Sequence, residues 1–216
     1  MNDAAFLHTP SRVIPSGDYT REPWRNGLGW TREILRLPAP GMDWALRLSI
    51  AEIEQDAAFS SFPGVERELV LLHGNGVRLH HRDGRVSDVL PPHGRARFAG
   101  EEDVHGVLVD GPTHDFNLMW RREVLQAELL HRPLVGSMFF FTEPGVAWAI
   151  HLLAGQAAFA ADTALPALEQ GDTAWLAAGA RQRHALQGGG EVLAIRVSVD
   201  AAAAGGDDAA VVDAAG

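Results

Sequence analysis

The chain has no cysteine in its 216 residues. That absence removes disulfides, thiolate metal sites and a cysteine nucleophile together, and it suits a reducing compartment, so a cytoplasmic location is expected. Basic charge is also scarce: 18 arginine and lysine residues stand against 28 aspartate and glutamate residues, for a net charge of −10. Such a field disfavours a nucleic-acid partner, whose phosphates need a basic surface. A small ligand or a protein is the expected partner. No run approaches the roughly 18 consecutive apolar residues of a membrane helix; central runs such as Met138–Phe141 are far too short to span one. Met1–Ser11 lacks a basic stretch followed by an apolar core, so no secretory leader is expected. The phosphate loop, the Gly-x-Ser-x-Gly elbow and the His-Glu-x-x-His helix are missing as well.

Short runs with period two are abundant. Trp44, Leu46, Leu48 and Ile50 alternate with Ala45, Arg47 and Ser49, which predicts a strand with one buried face. Val70–His73 and Val77–His81 flank Asn75-Gly76, a type I′ hairpin signal. Arg82-Asp83-Gly84-Arg85 is a second turn. Val107–Val109, Phe116–Trp120, Phe139–Phe141, Ala147–Leu153, Thr173–Leu176 and Val192–Val199 also read as strands. Arg122–Leu130 fits either a helical turn or a strand. Many short strands separated by scattered glycine and proline predict an all-β sandwich or barrel. Residues 201–216 are almost all Ala, Gly, Asp and Val, with little to bury, and are expected to fray, as are residues 1–8.

The chain repeats itself loosely. Leu72-His73-Gly74-Asn75 can be laid on Leu153-Ala154-Gly155-Gln156, and His93–Phe98 on Gln170–Trp175. Val107–Val109 can be laid on Val192–Ile195. Two barrel-like modules are expected, over residues 1–120 and 121–200, with 201–216 as a tail.

Three blocks concentrate chemistry. In Trp24-Arg25-Asn26-Gly27-Leu28-Gly29-Trp30-Thr31-Arg32-Glu33-Ile34, two glycines bracket a polar turn that leads into a strand. Thr31 and Glu33 share one strand face; Trp30 and Arg32 take the other. Phe59-Ser60-Ser61-Phe62-Pro63-Gly64-Val65-Glu66-Arg67 sets aromatics beside a firm turn, with Arg67 able to fork onto a carboxylate. In His114–Arg122, Asp115, Asn117 and Met119 share one face, and the larger Phe116, Leu118 and Trp120 share the face expected to meet a core. Each block also admits a plain reading: a glycine turn with a solvated strand, a surface arginine, an ordinary half-buried strand.

Ten histidines raise the question of a metal. A barrel metal site of the cupin kind needs a His-x-His pair followed by a carboxylate and another His. Here His80-His81-Arg82 puts an arginine where the second imidazole belongs, and Ala157-Ala158-Phe159 in the second repeat offers no ligand. No metal and no cofactor are expected, and most histidines are expected on the surface or in turns.

Taken together, Trp24–Ile34 resembles the HutD/Ves signature Trp-Lys-Asn-Gly-Gly-Gly-x-Thr-x-Glu-Ile, and the Phe59–Arg67 and Asp115–Met119 blocks resemble its second and third blocks, in the same order. Leu28 departs from that signature, standing where the family has a glycine. The resemblance implies a bicupin, two double-stranded β-helix barrels, with no established catalysis. It further implies a regulator that moderates histidine utilisation by binding a pathway metabolite such as formylglutamate or urocanate. The ligand residues it implies are Trp24, Asn26, Gly27, Gly29, Thr31, Glu33, Ser60, Phe62, Arg67, Asp115, Asn117 and Met119, with Arg67 on a carboxylate. The expected partner is a small carboxylate-bearing metabolite, with a homodimer allowed. The competing readings are a cupin-type isomerase or hydrolase using Glu33 or Asp115 as base, and a protein-interaction module like the Ves stress-response branch. A carboxylate beside an arginine would be a weak base, which favours the binding role.

Overall fold

The period-two runs fold as strands throughout the computed structural model, which describes residues 5–24, 26–38 and 43–199. In chain order these are β1 (Arg12–Ile14), β2 (Thr20–Pro23), β3 (Gly29–Leu37), β4 (Leu46–Ile53), β5 (Ala57–Ala58), β6 (Val65–His73), β7 (Val77–His81) and β8 (Val86–Val89). They continue as β9 (Arg95–Ala99), β10 (Val104–Leu108), β11 (Thr113–Arg121), β12 (Leu125–Thr142), β13 (Val146–Phe159), β14 (Leu168–Glu169), β15 (Thr173–Leu176) and β16 (Gln182–Val199). Residues 1–4, Arg25, 39–42 and 200–216, the last holding the expected tail, lie outside the described residues.

The first module closes from two sheets, ordered β2-β3-β4-β11-β6-β9 and β5-β10-β7-β8. The second runs β1-β15-β13-β16-β12, with β14 on β13. Corresponding ladders recur: β6 lies between β11 and β9 as β13 lies between β16 and β15. Each longer strand of the second module spans what two strands span in the first. β16 runs unbroken past Gly188-Gly189-Gly190, where the first module breaks between β10 and β11 at residues 109–112. The glycines make this possible: a Cβ at Gly190 would lie 1.8 Å from the Ala154 carbonyl oxygen, and one at Gly155 would lie 1.9 Å from that of Gly189. Val192–Ile195 therefore corresponds by pairing to β11, not to Val107–Val109 in the small sheet.

Other expectations are corrected. Asn75-Gly76 is not a hairpin turn. β6 and β7 belong to different sheets, and positive φ falls on Gly74 and Gly76 but not on Asn75, so the chain crosses from one sheet to the other there. The ambiguous 122–130 stretch is a turn followed by β12. Residues 5–8 form a short 3-10 turn whose Leu7 is fully buried and accepts a hydrogen bond from the Ala178 amide, so they do not fray. β1 pairs with β15, which carries the chain's start into the second module rather than the first.

The largest core lies between the modules. Leu46, Leu48, Ile50, Phe116, Leu118 and Trp120 from the first pack on Leu125, Ala147, Trp175, Leu193, Ile195 and Val197 from the second. Period two then dictates that the alternate residues of β4, β6 and β11 point into the first barrel. The sequence predicts one buried face for this strand, but the face opposite Leu46, Leu48 and Ile50 is closed as well: Ser49 is buried and the Arg47 side chain is largely so.

Candidate functional site

The inward residues of the first module form rows across its large sheet. Arg47 stands beside Met119, and Met119 beside Arg67; Ser49 stands beside Asn117; Thr31 beside Ala51, and Ala51 beside Asp115. Over them lies a cavity of about 650 Å³, roofed by the turn after β2 and by the loop of residues 59–62. Of the residues implied by the signature, Trp24, Asn26, Thr31, Ser60, Phe62, Arg67, Asn117 and Met119 line it. Gly27, Gly29, Glu33 and Asp115 do not line it and act behind it.

The turn is built for this placement. Asn26 Oδ1 accepts the Leu28 amide, Gly27 takes φ 70, and the Trp24 amide donates to the Gly29 carbonyl. Gly29 must lack a side chain, since a Cβ would sit 2.4 Å from the Glu52 carbonyl oxygen and 3.2 Å from the Trp24 ring. Trp24 Nε1 in turn donates to Thr31 Oγ1 at 2.9 Å, pinning the indole to the strand. Leu28 is only half-buried and does not line the cavity; its backbone carbonyl accepts the Glu54 amide.

Glu33 is engaged with cations. Its Oε2 accepts from Arg47 Nε at 3.0 Å and from both Nε and Nη2 of Arg36. It thereby orients Arg47, a cavity residue that the signature does not mark, although its alternation with Leu46 and Leu48 set the face it would take. Phe59, Ser61 and Leu69 also line the cavity and stand outside the implied ligand set.

Arg67 is the unusual group. It is 6% exposed, and among the described residues it has no carboxylate partner. Its Nη1 donates to the Ser60 carbonyl at 3.3 Å, and its Nε has no partner. The rings of Phe59 and Phe98 lie 5.1 Å from its Cζ, and that of Phe62 lies at 5.7 Å. Burial, with the Arg47 charge adding to it, lowers its pKa to about 10, so it remains a cation at neutral pH. Three ring faces temper a buried charge without neutralising it. Beside it, Asn117 Oδ1 is buried without a partner, while its Nδ2 meets Met119 Sδ at 3.4 Å.

Asp115 sits below the cavity. Thr113 Oγ1 donates to its Oδ2 at 2.6 Å, Oδ1 is unpartnered, and burial pushes its pKa up to about 7. No arginine contributes to this shift, so the expectation that a neighbouring cation weakens a carboxylate as a base reaches Glu33 but not Asp115. Most of the histidines are exposed or half-buried, as the sequence predicts; His81, His151 and His184 are the buried ones. A second cavity, of about 450 Å³, lies between the modules and is lined by Arg32, His73, His93, His114 and His151 among others. Arg32 thus faces away from Thr31, as the strand alternation requires.

The chain is similar to several known proteins. It is 40% identical over 119 residues to an uncharacterised 21.2 kDa protein in the hutC 3′ region of Pseudomonas putida; the match spans 55% of this chain and 62% of that protein, just under two thirds of its length. It is 36% identical over 171 residues to protein Ves of Cronobacter sakazakii, covering 79% of this chain and 89% of that one. HutD from Pseudomonas fluorescens SBW25 (formate condition) superposes with a TM-score of 0.76 at 28% identity, over 88% of this chain and 99% of that one. The shared architecture is the cupin fold, doubled. With the HutD family model matching residues 16–194, from the segment before the signature turn to the last long strand, the chain belongs to the HutD family.

Proposed function

We propose that the protein binds a small carboxylate in the first-module cavity and moderates histidine utilisation through it. The observation that carries this is the buried, unpaired Arg67. A guanidinium held out of water without an anion costs several kcal/mol, and a carboxylate accepting its fork removes that cost. Asn117 and Thr31 stand nearby for the ligand's polar groups, and Phe59 and Phe62 for its carbon skeleton. The P. putida relative's place in a hutC region supports a metabolite of histidine breakdown, of which formylglutamate and urocanate are the candidates.

Titration calorimetry with both compounds tests the reading. Saturable binding is expected, weakened more than tenfold in Arg67→Ala and in Arg67→Lys, which keeps a charge but not the fork; tenfold corresponds to about 1.4 kcal/mol. Flat titrations at millimolar ligand would refute it.

A second reading, general-base catalysis, has Asp115 in its favour, since a carboxyl near pKa 7 is poised for proton transfer. It requires the ligand to reach below the cavity wall. Conversion of a candidate ligand by the wild type and not by Asp115→Asn, followed by NMR, would establish it.

A further inference from the structure

The seam between the modules carries a polar cluster that the cavity does not use. His93 lies between β8 and β9 with φ 50, His131 is on β12 and Glu191 on β16. The antiparallel register sets Glu191 opposite Pro133 and His131 opposite Leu193, so His131 and Glu191 are diagonal neighbours on one face of the ladder. His93 reaches them from the other module. One Glu191 oxygen is 2.8 Å from His131 Nε2 and 3.6 Å from His93 Nε2, and one donor atom from each residue lies within 4.8 Å of the others.

The tautomers matter. His93 Nδ1 lies 2.9 Å from the Leu71 carbonyl oxygen, which can only accept, so Nδ1 carries a proton. In the neutral ring Nε2 is then a lone pair facing a carboxylate that has lone pairs of its own. A simple hydrogen bond accounts for His131 with Glu191, while a neutral His93 turns its lone pair toward Glu191 at 3.6 Å, a conflict that a proton or a metal ion relieves. A cation between them removes the conflict, and a ligating imidazole whose other nitrogen donates to a backbone carbonyl is the usual support for such a ligand. Tetrahedral zinc, with bonds of roughly 2.0–2.1 Å, separates its donors by roughly 3.3 Å; the two distances to Glu191 bracket that. The nearby arginines are otherwise committed: Arg95 to the Leu129 carbonyl and Glu68, Arg132 to the His131 carbonyl.

We propose that His93, His131 and Glu191 form a divalent transition-metal site that ties the two modules together. Two imidazoles and one carboxylate suit zinc or nickel rather than calcium or magnesium, and they leave a position open to water or an exchangeable ligand. The side chains are 22%, 38% and 44% exposed, so an ion can enter from solvent. The site is separate from the cupin-type positions around His80 and Arg82, where a metal is not expected.

Untagged protein, purified without chelator, stripped and dialysed, would be titrated with Zn²⁺ by calorimetry and melted with and without the ion. Binding of one Zn²⁺ per chain and a rise in Tm are expected, because the ion bridges modules that separate on unfolding. Visible absorption of bound Co²⁺ should report low-coordinate nitrogen and oxygen ligation. His131→Ala and Glu191→Gln should each weaken Zn²⁺ at least tenfold while keeping the wild-type far-ultraviolet circular dichroism; His80→Ala should change nothing. His93→Gln supplies a third variant should either of the first two misfold. No Zn²⁺-dependent Tm rise at millimolar ion, or a rise retained in the folded cluster variants, would overturn the site.

Discussion

Asp115 and His151 are buried ionisable groups that pull stability in opposite directions. Burial raises Asp115 to about 7, so between its unfolded value near 4 and pH 7 the native state holds a proton that the unfolded chain has released. Its contribution is full below about pH 4 and is lost as pH rises towards 7. Burial lowers His151 to about 4, beside Thr173 Oγ1 at 2.9 Å. There the unfolded chain holds the extra proton below about pH 6.5, so stability is full above that value and is lost as pH falls to about 4. The two slopes oppose each other between about pH 4 and 6.5. Unfolding free energies from urea melts across that window should therefore rise with pH more steeply in Asp115→Asn than in wild type, and fall relative to wild type in His151→Gln, each by on the order of 3 kcal/mol over the window. Parallel profiles for all three proteins would mean that neither group is titrating as its burial demands. Both residues are visible in the sequence, but neither shift is, since each depends on how much protein closes over the group.

Among the elements, the turn between β2 and β3 was legible because its constraints are local. An asparagine that caps its own turn, a glycine at positive φ and a second glycine with no room for a Cβ are properties of neighbouring residues. Gly29→Ala must push the turn off the Glu52 carbonyl and the Trp24 ring. It should cost about 1–3 kcal/mol of stability and loosen the Trp24–Thr31 contact, so ligand affinity should fall in calorimetry even where the protein remains folded. An unchanged affinity would show that the turn does not shape the cavity. Strand faces were equally legible: Phe116, Leu118 and Trp120 enter the inter-module core, while Asn117 and Met119 enter the barrel. Sheet membership was not. Asn75-Gly76 has the composition of a tight hairpin, yet the flanking strands join different sheets because closing a barrel requires the chain to cross there.

For the molecule as a whole, the modules share one interior. Trp120, 1% exposed, comes from the first module and shares its cluster with Trp175, Leu193, Ile195 and Val197 of the second. Trp120→Ala should cost about 3–5 kcal/mol and lower a single cooperative calorimetric transition rather than split it in two. A fragment of residues 1–121, which would expose Leu46, Leu48, Ile50, Phe116 and Leu118, should associate or bind hydrophobic dyes. Two independent transitions in the full chain would contradict the shared core.

Which residues alternate, where most turns fall and which family the chain joins can all be read from the amino acids in order, because these follow from spacing and from backbone geometry a few residues long. Three facts came only with folding: Arg67 is buried without a counter-charge, Asp115 lies beneath the cavity rather than in it, and His93 meets His131 and Glu191 across the seam. These depend on solvent exclusion and on distances between strands remote in the chain, and such quantities exist only once the barrels have closed.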